Sequence, residues 1–518
     1  MDIYQKIRKV LMVSAIILSI LEVLFFFSED IVVLSVMMPA SIIFFNAVFV
    51  KRDIFMRYPL SALAILFYTI CLVVLPFFAT IIEFKPVSFN IRTPIWTYFN
   101  VVGFMFLIVF IHGVYRSLFN HRKNLFRKAF AKFGGFKKLS NRQFQILVLI
   151  SLSYYVISII VYGGYSDEGE AADMPSWFYV IGLFVRSFLP TAALLVFPKM
   201  GLVKNPYLQP KLLIIIVVIS SSIGVLTNMR TAVLLVPTTI LFCFFLYLLY
   251  FDYHFNEKAK RRLIIVVMIA AVVVPLFARV SNVMIMVRQN RSGLSGMEML
   301  SLISNVIDDS RVISDFVLEN KSTEEYTKSD DWSEKYLNND ALQRFCCIKF
   351  LDETLFHAEK IGYANTEMRN DLATYFLSIF PEALTVPSVY KNHAERREAQ
   401  IHMSLTDSMC QLSTGDGFGT AYIGSYQGIG LGLFGYTYIL VLIPLFIVFF
   451  YIFDGLVYIG KNGNISFSYF AIANISAIIL FFQPHHVYTY EINQLTRTFW
   501  ENLFFYLLTM FFIRKLKI

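Results

Sequence analysis

Apolar runs long enough to cross a bilayer recur along almost the whole chain, and no other feature limits its fold as strongly. A membrane-spanning helix needs about 20 predominantly apolar residues. Runs of that kind stand near 9–27, 31–50, 59–82, 94–114, 144–163, 177–197, 211–228, 231–251, 263–282, 420–453, 466–484 and 497–513. They predict an all-α, polytopic integral membrane bundle of about 12 spans. Hydrophobic residues make up 57% of the chain and charged residues 16%, a balance that excludes a soluble globular reading. The first run is long enough to stay in the bilayer as a signal anchor, so no cleaved leader is expected.

One polar island, residues 283–416, interrupts this pattern. It divides the chain into a bundle of nine spans (1–282), a large loop (283–416) and three further spans (417–518). The island holds 13 Lys and Arg against 21 Asp and Glu, a net charge of −8, while the whole chain is +9. The remaining residues therefore carry +17. Short cytoplasmic loops concentrate Lys and Arg. The basic segments are Lys6 to Lys9, Lys51-Arg52, Arg122 to Arg142, Lys258 to Arg262 and the tail Arg514 to Lys517. With both termini inside, every basic cluster falls on the cytoplasmic side. The acidic or sparse connections, including the island, fall outside.

The stretch from Arg116 to Lys132 interleaves basic residues with Phe and Leu. An interfacial helix drawn to anionic lipid, at about 1 kcal/mol per basic residue near the surface, explains it without a nucleic-acid partner. Cys71 and Cys243 lie in spans; Cys346, Cys347 and Cys410 lie in the island, where a bridge from Cys410 to one of the adjacent pair leaves one thiol over. Motifs for soluble cofactors are missing: there is no GxxxxGK[ST], no strand-led GxGxxG, no HExxH and no CxxC. No cofactor and no metal are expected. The energy then comes from an ion gradient or from a substrate that is itself activated. A transporter keeps its polar groups near the bilayer midplane and has no need of so large a loop, so the island favours the activated substrate.

Arginine surrounds the island. Arg230 closes the turn Thr227 to Arg230 between two spans, Arg279 stands at the exit of the ninth span, and Arg288 and Arg291 follow it. The planar guanidinium donates paired hydrogen bonds to phosphate oxygens and keeps its charge, which suits a diphosphate; singly, each such arginine also reads as a side chain reaching toward lipid headgroups. Arg186 lies mid-span, where a charge costs about 2.5–3.5 kcal/mol. It is expected to face a wet cavity in the bundle, to pair with an acid such as Glu22, or to reach a lipid phosphate. On the island His357, His393 and His402 read as solvated side chains, and one of them near the arginines would serve as general base. His402 is the favoured one, with Asp407 as an acidic alternative. His485-His486 reads as an interfacial anchor with a groove role left open.

The run Gly415 to Tyr436, with glycines at 415, 417, 419, 424, 428, 430, 432 and 435, follows Tyr375 to Pro387 and the earlier turn Thr227 to Arg230. Together these segments resemble O-antigen polymerases of the Wzy type, over residues 211 to 453. The glycines allow a helix end to pack closely. Where the family pattern has Arg after the first proline of the Pro…Pro segment, this chain has Glu382. The resemblance implies an integral-membrane glycosyltransferase with a GT-C-like bundle in the bacterial inner membrane. It also implies a polyprenyl-diphosphate-linked oligosaccharide as substrate, membrane lipid as partner, a chain-length regulator as a candidate partner, and no metal. An O-antigen ligase is the second reading, and a flippase or exporter of lipid-linked glycan the third.

Overall fold

The computed structural model describes residues 3–120, 123–160, 175–204, 207–226, 230–251, 331–339, 342–343, 346–378, 404–415, 422–460 and 464–515. The longer helices in chain order are α1 (Ile3–Phe25), α2 (Glu29–Val48), α3 (Pro59–Ile82), α4 (Pro94–Leu118), α5 (Asn141–Ile160), α6 (Ser176–Val185), α7 (Pro210–Leu226) and α8 (Arg230–Tyr250). They continue as α9 (Ile348–Ile361), α10 (Thr366–Ser378), α11 (Leu405–Thr414), α12 (Tyr426–Phe434), α13 (Tyr438–Gly455), α14 (Thr489–Asn493) and α15 (Phe499–Lys515). Among the described residues, five segments are long and apolar enough to cross a membrane: Glu29–Val48, Pro59–Ile82, Pro94–Leu118, Trp177–Leu195 and Tyr426–Gly455. The chain is thus a helical membrane protein. The expected span 263–282, with Arg279, lies outside the described residues, as do Arg288 and Arg291.

Residues 1–124, 324–454 and 478–501 form one compact unit. Its apolar helices are tied by a few buried polar residues at their ends. Asp454, at the end of α13, accepts the Leu60 and Ser61 N–H groups at 3.1 and 3.2 Å and the Ser61 hydroxyl at 2.6 Å. It thereby satisfies donors that the first turn of α3 leaves unpaired. Tyr115 adds a fourth bond, 3.2 Å long, to the same carboxylate. Near the other end of α3, Glu22 accepts the Thr80 hydroxyl at 2.9 Å and the Val87 N–H at 3.2 Å. Those bonds occupy the acid that the sequence offers as a partner for Arg186. Within α3 a π-helical stretch, Thr69–Val74, interrupts the regular winding.

Within the island, α9 is a core helix of the same unit, with Ile348 to Leu355, His357 and Ala358 all buried. It packs against α12, where glycine is required: a Cβ on Gly428 would stand 2.3 Å from Thr354 Cβ and 2.6 Å from its carbonyl carbon. On the same helix, a Cβ on Gly430 would meet the Tyr488 hydroxyl at 2.5 Å. The expected span 420–453 is broken at Gly435, whose φ of +58° separates α12 from α13.

Residues 125–323, 455–477 and 502–518 form the second unit. Its α7 and α8 make a hairpin pinned at Gly224, whose Cβ would meet the Val233 backbone nitrogen at 2.5 Å. A two-stranded antiparallel ribbon, β1 (Val457–Ile459) and β2 (Ile465–Phe467), leads into the short helices Tyr469–Ala473 and Ile475–Ile479. The expected single span over 466–484 is therefore not one helix. Buried tyrosines close this unit: Tyr506 donates to the Gly135 carbonyl at 3.0 Å and Tyr469 to the Leu202 carbonyl at 2.8 Å.

The span predicted around Arg186 is interrupted there, since α6 ends at Val185 and 3-10 turns cover Arg186–Phe188 and Pro190–Leu195. Arg186 stands at the break and is exposed. The five cysteines are buried free thiols, so the bridge considered for Cys410 is not formed.

Candidate functional site

Among the described residues, the polar groups that gather in number lie in the first unit, around α9, α11, α12 and the segment 481–493. On α9 the residues Lys349, Asp352, Glu353 and His357 recur at helical spacing and share one face. Glu353 is the centre of this face. Its Oε1 lies 2.6 Å from Lys349 Nζ and accepts Arg92 Nε at 3.0 Å, while its Oε2 accepts Arg92 Nη2 at 3.2 Å and the Ser333 N–H at 3.4 Å. Asp352 turns to the start of α4, taking the Arg92 and Thr93 N–H groups at 2.9 and 3.3 Å and the Thr97 hydroxyl at 3.0 Å. The Arg92 guanidinium also donates to the Asp331 carbonyl at 2.6 Å and lies 4.2 Å from the Phe356 ring centre.

Burial alone would raise the Glu353 carboxyl. His357, Lys349 and Arg92 outweigh that effect and hold it down, to about 2. Contrary to the solvated role expected for it, His357 is wholly buried. Its Nδ1 meets the Ser413 hydroxyl at 2.7 Å, its Nε2 stands 3.3 Å from Glu353 Oε2, and Trp332 stacks on its ring at 4.8 Å. A paired charge lattice of this kind fixes geometry. Both oxygens of Glu353 are engaged within it.

The return of the chain toward the apolar run is anchored from three sides. Asp407 lies in the first turn of α11, where Ser404 and Asp407 form a capping box. Its Oδ2 accepts the Ser404 N–H at 3.1 Å and its Oδ1 the Tyr422 N–H at 2.8 Å. The next residue, Ile423, donates its N–H to Glu334 at 3.1 Å, and Gly424 pairs with His485 through two backbone bonds of 3.1 and 3.0 Å. Asp407 is buried, and both its oxygens are engaged by backbone donors. It acts here as scaffold. The favoured base of the sequence reading is His402. That residue lies outside the described residues.

Next to this anchor sits a cluster that the sequence reading did not identify. His485 Nε2 lies 2.8 Å from Glu491 Oε1, and its Nδ1 faces the Gln483 carbonyl at 2.6 Å. Acceptors stand at both ring nitrogens. Burial would lower the His485 basicity, but the Glu491 carboxylate and the Gln483 carbonyl raise it above its ordinary value. The Tyr426 hydroxyl donates to the same Glu491 oxygen at 2.5 Å and approaches the Phe481 carbonyl at 3.2 Å. The second Glu491 oxygen and the Gln483 carboxamide oxygen are buried without a hydrogen-bond partner. Gln427 hydrogen-bonds the Tyr68 hydroxyl and Gln483 the Cys71 thiol. The Tyr68 proton is already given to the Val101 carbonyl at 3.1 Å. The available clue was Glu491 itself, an acid six residues after a histidine pair, between two apolar runs.

Of the arginines expected to bind a diphosphate, Arg230 begins α8 in the second unit and Arg186 stands exposed at its helix break. Arg279, Arg288 and Arg291 lie outside the described residues. Comparison with protein families, with curated proteins and with solved structures gives no match for this chain.

Proposed function

We propose that this chain is a repeat-unit polymerase of the inner membrane, transferring a glycan from a polyprenyl diphosphate to a second lipid-linked repeat unit. One observation carries the reading: a polar, acidic segment between apolar spans contributes a core helix, α9, against the glycine-rich α12. A segment built into the spans in this way suits chemistry on a substrate whose lipid lies in the bilayer and whose sugar lies outside it.

The reaction balances without an external energy source. The acceptor hydroxyl oxygen attacks the anomeric carbon, the bond from that carbon to the diphosphate oxygen breaks, and the polyprenyl diphosphate leaves with the electron pair. The hydroxyl proton passes to a base, for which His402 is the candidate. Arg230, Arg279, Arg288 and Arg291 are the candidates for stabilising charge on the leaving diphosphate. The gel profile of surface polysaccharide from a deletion strain tests the proposal. A polymerase leaves single repeat units on the surface. Complete loss of surface glycan with long lipid-linked chains retained would indicate the ligase reading, and repeat units trapped on the cytoplasmic side would indicate a flippase.

A further inference from the structure

Between the first turns of α2 and α4 lies an open groove of about 470 Å³, lined by Asp30, Thr93, Pro94, Ile95, Trp96 and Phe99. Both helices are long and apolar enough to cross a membrane, so a groove at their first turns sits where the hydrocarbon gives way to the headgroup layer. The two helices pack on each other, with the Phe44 and Phe106 rings 4.7 Å apart. Trp96 and Phe99 stack, their ring centres 5.7 Å apart and their planes 12° from parallel, and both are exposed. Asp30 is exposed as well. An acid in the first turn of a helix answers its dipole, and Glu29 and Asp30 both do so for α2. Of the two, Asp30 also lines the groove.

We propose that this groove binds a phospholipid of the surrounding bilayer by its primary ammonium headgroup. The Asp30 carboxylate accepts hydrogen bonds from an ammonium, which carries three donors, and the faces of an indole and a phenyl ring attract a cation. None of the six lining residues is basic, so a lipid whose headgroup is only negative meets Asp30 without a counter-charge. A trimethylammonium headgroup keeps the positive charge but has no N–H to donate. For the adjoining phosphate the groove supplies the start of α4, where Thr93 makes no side-chain cap bond and the helix dipole is positive. Ile95, Trp96 and Phe99 offer apolar surface to the acyl chains. The site is tied to the core of the unit, because Thr93 gives its N–H to Asp352 of α9 at 3.3 Å. The inference is independent of the reaction proposed above.

The test offers the full chain, purified in detergent, equal amounts of phosphatidylethanolamine, phosphatidylcholine and phosphatidylglycerol with identical acyl chains, and counts the retained lipids by native mass spectrometry. Wild type should retain phosphatidylethanolamine about five- to tenfold over the other two, the combined effect of one exposed ion pair and one exposed cation–π contact. Asp30→Asn and Trp96→Leu should each lose most of that preference, whereas Asp30→Glu should keep it. All three variants change exposed side chains and should unfold at the wild-type temperature, and the comparison of lipids on the wild-type chain needs no variant. Equal retention of the three lipids by wild type overturns the proposal. So does a preference that Asp30→Asn leaves intact, which would place the amine lipid elsewhere on the chain. A preference for phosphatidylglycerol overturns it as well, since that lipid calls for a basic site.

Discussion

Around Glu353 both carboxylate oxygens are engaged, by Arg92, Lys349 and the Ser333 N–H. Around Glu491, in the same unit, one oxygen takes His485 and Tyr426 while the other meets nothing. Both acids are wholly buried, so burial does not distinguish them. The difference lies in satisfaction. A closed lattice rigidifies its surroundings, whereas open hydrogen-bonding groups in a low-dielectric site are costly to the fold and persist where something else makes use of them. The first cluster therefore holds α4, α9 and residues 331–333 in register. The second leaves one oxygen of a buried acid open.

The comparison breaks most readily at the closed cluster. Glu353→Ala leaves Lys349 and Arg92 buried without their main counter-charge, a kind of loss that typically costs about 3–5 kcal/mol. Thermal unfolding of the purified chain in detergent should show a large drop or a failure to accumulate; a variant as stable as wild type would show that the lattice is not structural. The same acid sets a pH limit. Its folded value near 2 lies below the ordinary 4.5, so its contribution is present above 4.5 and is lost as pH falls toward 2. His485 has the opposite sign. With its basicity raised above the ordinary 6.5, its contribution is complete below 6.5 and fades as pH rises through the higher folded value. A chain with Glu353→Ala should therefore lose part of its acid-limb dependence and keep the alkaline one, measured as unfolding temperature against pH.

A smaller effect is expected at the α9–α12 contact. Gly428→Val drives new carbon into the Thr354 backbone, and overpacking of this kind costs about 1–3 kcal/mol. Next comes Asp407→Asn, which keeps the size of the side chain but weakens acceptance from the Ser404 and Tyr422 N–H groups. A loss of about 1 kcal/mol is expected, with chain growth reduced only in proportion to folded protein. A variant that folds as wild type yet loses all activity would restore Asp407 as the base. Smallest is Arg186→Leu. Exposed at a helix break, it should shift stability by less than about 0.5 kcal/mol, and a severe folding defect would contradict that placement.

Much of the helical layout was legible because apolar runs of bilayer length admit few alternatives. The spans near 31–50, 59–82 and 94–114 differ from α2, α3 and α4 mainly at their ends. Breaks were harder to read. Around Arg186 the run is apolar enough to hide the break, and the signal for it is Pro190, which cannot donate to the carbonyl four residues earlier. The run 466–484 has the hydropathy of a span, yet β2 and two short helices occupy most of it. The glycines of α12 were legible as close-packing positions, but their partner Thr354 was not, since the polarity of the island suggested solvent and not a core. The site was read least well. His357 looked solvated because histidine on a polar loop usually is, whereas here Trp332 and Ser413 enclose it. Gln427, Gln483 and Glu491 are ordinary polar residues in sequence. Only their burial distinguishes them, and that property is not written in the order of residues.

Reconstituted chain growth tests the central claim most directly. Purified chain in proteoliposomes, supplied with lipid-linked repeat units and a chelator, should yield a ladder that lengthens one repeat at a time. The ladder should be lost in Arg288→Lys, because lysine lacks the two-donor fork. No ladder from correctly inserted wild-type chain would contradict the account.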